Sequence, residues 1–271
     1  MNKDFLCLSD WSLEELEKIF MLTSELKSKQ KAGMPHQLLA GKTLGMLFEK
    51  SSTRTRVSFE AGMFHLGGHA LFLASGNTQM GRGEPIKDTA RVLGRMVHGA
   101  VIRTYAQSDV VQFAAYSGIP TINALTDDEH PCQILADLLT IREKLGTWEN
   151  RKIAFIGDGF SNMTRSWMWA AKHLGFELAV ASPPACQPPA EFLAQLDAPN
   201  VSVSNDPQVA VSGAHAINTD VWLSMGQEDQ KEKELEFAGF QVNADLLAHA
   251  AEDHIVLHCL PAYREKEITE E

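Results

Sequence analysis

Along this chain, short apolar runs alternate with longer stretches in which apolar side chains recur every three or four positions. Leu13, Leu16, Phe20 and Leu26 fall near one face of an opening helix. Ser12 and Glu15 form a capping box in front of it, and Gly33 and Pro35 end it. Strands are predicted from Thr43 to Phe48, His69 to Leu73, Ala100 to Tyr105 and Thr121 to Leu125. Helices are predicted between them, from Thr53 to Leu66, Ile86 to Met96 and Val110 to Tyr116. A longer helical stretch, His130 to Leu145, closes at Gly146.

A second series opens after Arg151. It has a strand from Lys152 to Ile156, a helix from Met163 to Leu174 and a strand from Glu177 to Ser182. Further strands follow from Ala214 to Thr219 and from Ile255 to Leu260. Between Pro183 and Pro189 the prolines demand a loop, and Gln227 to Glu236 reads as a mobile loop or a solvated helix. Strand, helix and strand in repeated succession imply βαβ units and a mostly parallel sheet. The expected fold is therefore α/β: two doubly wound parallel-sheet domains, 1–149 and 150–271, joined by the helix before residue 150, with the active site in the cleft between them.

Composition narrows the function classes. The 24 Lys and Arg against 35 Asp and Glu leave a net charge of −11, which argues against a nonspecific nucleic-acid binder. No apolar run approaches the roughly 18–20 residues of a membrane helix, and Met1 to Asp10 lacks the basic and apolar regions of a signal peptide. Cys7, Cys132, Cys186 and Cys259 form no CxxC pair and no zinc ligand set by spacing, so a reduced, cytoplasmic compartment is expected.

Several clusters can carry chemistry. Ser51-Ser52-Thr53-Arg54-Thr55-Arg56 follows a predicted strand and opens a predicted helix. Backbone N–H groups there favour an anion, hydroxyls add donors, and an arginine offers a planar fork to phosphate oxygens. The same residues would also serve as a plain helix cap. His130-Pro131-Cys132-Gln133 starts a helix with His130 and Gln133 three apart, so both can reach one point. Alone, they also suit a cap and a solvated amide. Gly157-Asp158-Gly159 invites a dinucleotide reading, but position 162, where the last glycine should stand, is Asn162. Asp220 ends a predicted strand, at the edge where α/β sheets bind ligands, and could pair with a substrate ammonium or be an ordinary loop aspartate. His258-Cys259-Leu260-Pro261-Ala262 also ends a strand. Neighbours on a strand point to opposite faces, so His258 is a poor base for Cys259.

Taken together, SSTRTR, HPCQ, DVWLSMG (Asp220 to Gly226) and HCLPA resemble the transcarbamoylases, in order and at suitable distances. Met80 to Glu84 and Asp88 to Arg95 are similar to them too, and Ser224-Met225-Gly226 resembles the ornithine branch. The resemblance implies that Ser52, Thr53, Arg54 and Thr55 grip the phosphate of carbamoyl phosphate and that Arg103 is the second arginine on it. His130 would join Arg54 and Arg103 around the carbonyl oxygen. Gln133, with the Leu260 carbonyl, would hold the carbamoyl NH2. Asn162, Asp220, Ser224 and Met225 would hold the amino-acid end of ornithine, and Asp220 and Cys259 would face its reacting amine. Gln79 matches a position that reaches into a neighbouring subunit's site in a trimer. Arg56 matches a structural ion-pair residue. Such proteins usually continue past the position of Glu271 into a last helix that packs on the first domain and carries a further active-site arginine.

The implied reaction is transfer of a carbamoyl group from carbamoyl phosphate to ornithine, within arginine metabolism, with no cofactor and no metal. Rival readings keep the chemistry with another amine such as putrescine, or make the chain a noncatalytic carbamoyl-phosphate-binding relative. A nicotinamide dehydrogenase is the distant third, set aside by the incomplete glycine pattern.

Overall fold

The computed structural model describes residues 4–74, 76, 83–223 and 231–270. It divides into two compact units, Met1–Cys132 and Gln133–Glu271. The first holds α1 (Leu13–Lys31), β1 (Thr43–Phe48), α2 (Thr53–His65), β2 (His69–Ala74), α3 (Ile86–Leu93), β3 (Gly99–Arg103), α4 (Gln107–Ser117) and β4 (Thr121–Leu125). Its sheet is parallel, in the order β2-β1-β3-β4.

Side-chain alternation in β1 explains why helices cover both faces of that sheet. Leu44, Met46 and Phe48 pack in one cluster with Met63 and Phe59 of α2, whereas Leu47 packs with Ala90 of α3 and with Val110 and Phe113 of α4. A strand buried on both sides reads as a continuous apolar run, which is how TLGMLF reads. In α1, Leu16 and Phe20 are fully buried, but Leu13 is half exposed, because it occupies the first helical position directly after the Ser12 cap.

The second unit carries α5 (Pro131–Leu145), which begins just ahead of it, then β5 (Lys152–Ile156), α6 (Asn162–Leu174), β6 (Glu177–Ala181), α7 (Ala190–Leu196), β7 (Val201–Ser204), α8 (Pro207–Val211), β8 (Ala216–Thr219), α9 (Lys231–Leu235), α10 (Ala244–Leu247) and β9 (Ile255–His258). These strands form a parallel sheet in the order β7-β6-β5-β8-β9. One face packs Ala154, Ile156, Ala179 and Ile217 against Val211, Phe237 and Leu246. Trp167 of α6 is fully buried, and its indole N–H donates to Asn218 Oδ1 at 3.2 Å. The doubly wound expectation therefore holds in both units. The sequence reading did not predict β7, α7, α8 or α10, all of them short. Among the described residues no helix is long and apolar enough to cross a membrane.

Two glycines test the packing of the first unit in opposite directions. A Cβ on Gly94, just past α3, would lie 1.9 Å from the Ser117 carbonyl oxygen at the end of α4, so α3 and α4 cannot keep their approach with any side chain there. Gly62, inside α2, has nothing within 4 Å of that position. Gly94→Ala should destabilise the protein by about 1–3 kcal/mol through overpacking. Gly62→Ala should stabilise it by roughly 0.5–1 kcal/mol through helix propensity. Urea unfolding of the two variants checks both signs, and equal midpoints would contradict the close α3–α4 contact.

Candidate active site

In both units, chemistry-bearing residues follow directly on strand ends, and strand order decides which ends are neighbours. From β1 the chain first goes to β2 on one side and then to β3 on the other, so a switch point lies between β1 and β3. Ligands in open α/β sheets bind outside the carboxyl ends of the strands at such points. Phe48 of β1 pairs with Arg103 of β3, and Arg103 with Leu125 of β4, so the three strands end in step. The Ser52–Thr55 turn, Arg103 and the segment leading to His130 therefore share one edge.

Ser52 caps α2 in extended conformation, its hydroxyl accepting from the Thr55 N–H at 3.2 Å. Thr53 and Arg54 follow on the exposed first turn, the end of a helix where anions are favoured. Arg56 instead makes an ion pair with Glu60 at 3.0 Å and lies over the Phe72 ring, as its expected structural role requires. Arg103 is buried, 6% exposed. His130 is pushed down from 6.5 to about 3, by burial first and by the nearby Arg103 charge second. At neutral pH it is therefore a neutral imidazole, a single-proton donor beside a fixed cation. Cys132, on the same turn, donates to the Asn123 carbonyl and is pushed up to about 12 by burial, which makes it an inert thiol.

Spacing gave no sign of the residue that joins these strand ends. Lys50, buried just after β1, pairs with Asp127 beyond β4 and lies 4.4 Å from the centre of the Tyr105 ring beyond β3. One side chain thus stitches three loops together. On the α3–α4 side of the same edge lies a cavity of about 240 Å³, lined by Phe48, Leu73, Ile102 and Phe113 with Glu49, Glu84 and Asp109 among the polar groups. Glu49 accepts from the Thr104 hydroxyl and Glu84 from the Thr89 hydroxyl. Burial, then the Glu49 charge, raises the Asp109 carboxyl. Among the described residues, none of those expected to hold substrate lines this cavity.

The second unit repeats the switch between β5 and β8. Ile156 of β5 pairs with Thr219 of β8, and Thr219 with His258 of β9. The residues one step further, Asp220 and Cys259, are neighbours for that reason, and the Cys259 thiol donates to Asp220 Oδ1 at 3.0 Å. Burial raises the Asp220 carboxyl, against the lowering effects of the Cys259 and Val221 hydrogen bonds and the His258 charge. His258 lies close to this pair but makes its own hydrogen bonds elsewhere. Its Nδ1 accepts from the Leu260 N–H at 2.9 Å, which leaves the proton on Nε2 to donate to Glu267 at 3.1 Å. Glu267, 1% exposed, also accepts from the Tyr263 N–H and fixes the turn after β9.

In that turn Leu260 sits in left-handed conformation, φ 60, ahead of a cis bond to Pro261. A branched side chain rarely adopts that conformation. Asn162 starts α6 beside its Ser161 cap, on the other side of the switch point from Asp220. Lys233 of α9 pairs with Asp158 in the same turn at 2.6 Å. Asp220, His258 and Cys259 each place one potential metal-ligand atom within 4.8 Å of the others, a grouping that cysteine spacing did not foreshadow.

Gln133 and Asp137 share a face of α5, and the Gln133 amide donates to Asp137 Oδ1 at 2.9 Å. Asp137 is pushed up to about 7, chiefly by burial; the Gln133 bond and the His258 charge lower it and the Asp220 charge raises it. Gln79, Ser224 and Met225 lie outside the described residues.

Comparisons with known proteins bear on the family and the fold. Residues 3–143 match the family model described as aspartate/ornithine carbamoyltransferase, carbamoyl-P binding domain. Residues 149–271 match the companion model, the Asp/Orn binding domain of the same family. A protein of Syntrophotalea carbinolica named ornithine carbamoyltransferase is 59% identical over 275 residues, spanning 100% of this chain and 90% of that one. One of the same name from Methanocorpusculum labreanum is 53% identical, with the same coverage. The solved ornithine carbamoyltransferase of Pyrococcus furiosus is similar with a TM-score of 0.93 at 46% identity, covering 99% of this chain and 88% of that one. The chain belongs to the aspartate/ornithine carbamoyltransferase family.

Proposed function

We propose that this chain transfers the carbamoyl group of carbamoyl phosphate to the side-chain amine of L-ornithine, giving L-citrulline and phosphate, as a step of arginine metabolism. The observation that carries this reading is identity of 59% along the whole chain with a protein named ornithine carbamoyltransferase. We assign carbamoyl phosphate to the half that ends near residue 149 and ornithine to the half from 150 onward.

The chemistry follows from the groups themselves. Ornithine's δ-ammonium has no lone pair and must first lose a proton. The neutral amine attacks the carbonyl carbon, a C–N bond forms, and the carbonyl oxygen takes the negative charge. Arg54, Arg103 and the neutral His130 then stabilise that oxyanion, an interaction commonly worth about 2.7–4 kcal/mol per donor. The C–O bond to phosphate breaks, and the departing phosphate takes up the proton released by the nitrogen. Ser52, Thr53, Arg54, Thr55 and Arg103 hold the phosphate. Gln133 and the Leu260 carbonyl accept from the carbamoyl NH2. Asn162, Ser224 and Met225 hold the amino-acid end of ornithine, while Asp220 and Cys259 position its amine. Cys259 already donates to Asp220, which supports positioning rather than nucleophilic attack.

We further place the enzyme in the cytoplasm as a homotrimer in which Gln79 serves a neighbouring subunit's site, with no nucleic-acid or membrane partner. None of its four cysteines forms a disulfide among the described residues, which supports a reducing compartment. Exposed Val57 (57%) and Phe64 (78%), both on α2, support an assembly face there.

Three measurements test these assignments. With carbamoyl phosphate supplied, L-ornithine should turn over faster than putrescine, which lacks the α-carboxylate; the reverse order would remove the ornithine assignment and leave the class intact. The imidazole signals of His130 should not titrate between pH 5 and 8. Because its folded pKa lies below its unfolded one, the stability it contributes is full above pH 6.5 and declines as pH falls toward 3. A His130 titration midpoint near neutrality would end its role as a neutral donor. Finally, Gln79→Ala and Arg103→Ala parents, both impaired, should gain activity above their average when dissociated and reassembled together. No gain from two impaired parents would place Gln79 in its own subunit's site or nowhere.

A further inference from the structure

An amide side chain has two ends that differ in chemistry and hardly at all in shape. If Gln133 accepts from the carbamoyl NH2, its Oε1 must face the substrate and its NH2 must face away. Nothing in glutamine itself enforces that choice. In this structure the NH2 end is held at 2.9 Å by Asp137 Oδ1, one helical turn further along α5.

Asp137 is well suited to that task and has little other visible work. It is 6% exposed, and its second oxygen, Oδ2, is buried without a hydrogen-bond partner among the described residues. A buried carboxylate whose single bond is to one amide is costly to keep unless that bond has a use. A carboxylate can only accept, so it selects the NH2 end of Gln133 and leaves Oε1 to the other side. A proton taken up near neutrality, under the charges of Asp220 and His258, belongs on Oδ2, which has no bond to lose, and Oδ1 still accepts. Gln133 itself is only partly buried, so its free end can meet a ligand.

We infer that Asp137 is a positioning residue that sets the amide of Gln133 with its carbonyl toward the substrate, and so makes the enzyme read the NH2 of carbamoyl phosphate. The inference rests on the assignment of Gln133 to that NH2. Asparagine at 137 would remove the selection. Its own NH2 can donate to Gln133 Oε1, which turns the Gln133 NH2 toward the carbamoyl NH2 and sets donor against donor.

The test compares binding of carbamoyl phosphate with binding of acetyl phosphate, which has a methyl group in place of the NH2. In Asp137→Asn, carbamoyl phosphate should bind on the order of ten- to hundredfold more weakly, the size expected for one unmatched donor. Acetyl phosphate should bind about as it does to the unaltered protein. General damage to the fold would weaken both ligands alike, and equal losses, or none, would overturn the inference. Gln133→Ala separates the two layers. If it leaves the preference for carbamoyl over acetyl phosphate unchanged, the assignment of Gln133 fails and the inference with it. If it abolishes the preference while Asp137→Asn keeps it, only the role of Asp137 fails. Should Asp137→Asn not fold, the exchanged pair Gln133→Glu with Asp137→Asn keeps one carboxylate and one amide in contact. That variant should retain a preference for carbamoyl phosphate, and its loss there would count against the inference.

Discussion

Parallel pairing with the strand ends in step is the constraint on which the candidate site depends. Asp220 and Cys259 are 39 positions apart, and nothing local brings them together. They meet because Thr219 pairs with His258, so the next residue of each strand emerges at the same level about one strand spacing away. A slip of one residue in that register would send Asp220 and Cys259 to opposite faces and break the 3.0 Å thiol–carboxylate bond. The first unit obeys the same rule, with Phe48, Arg103 and Leu125 in register and the Ser52 turn, Arg103 and the His130 segment beyond them.

Electrostatics then refine what register delivers. Burial first, and then the nearby Arg103 charge, keep the His130 imidazole neutral. The cost of holding Arg103 in so dry a place falls on the surrounding scaffold. Lys50 is part of that scaffold: buried, paired with Asp127 and set over Tyr105, it ties the loops after β1, β3 and β4 to one another. In the second unit Glu267 has the corresponding task. It takes the proton-bearing nitrogen of His258 and the backbone of Tyr263, which orders the turn that carries Cys259 and Leu260.

Much of this was legible in the sequence, and the limits were physical. Apolar runs such as TLGMLF and KIAFI marked the central strands, since strands covered on both faces need no polar alternation. VSVS, an edge strand with only partly buried side chains, carried too little apolar signal to be read as β7. The Ser52 turn was visible because capping chemistry is local. The Lys50–Asp127 pair spans 77 positions and depends on strand order, which no pattern in the chain encodes directly. Asp137 lay within reach of sequence reasoning, since it stands four residues after Gln133 on one helix. What was missing was its burial, which turns a common surface spacing into an unusual pair.

The glycines that close the helices lie at the opposite edge of each sheet. Gly118 after α4 and Gly175 after α6 both take positive φ, with open space where a side chain would stand, and each hands the chain back to the start of a strand. Each sheet therefore has one edge built of turns and one built of functional groups, separated by the length of a strand. Selection can act on the two almost independently. Drift at the turn edge is judged by whether the protein survives in the cell, and drift at the other by how fast product appears, so a lineage can change its heat tolerance without first renegotiating its chemistry.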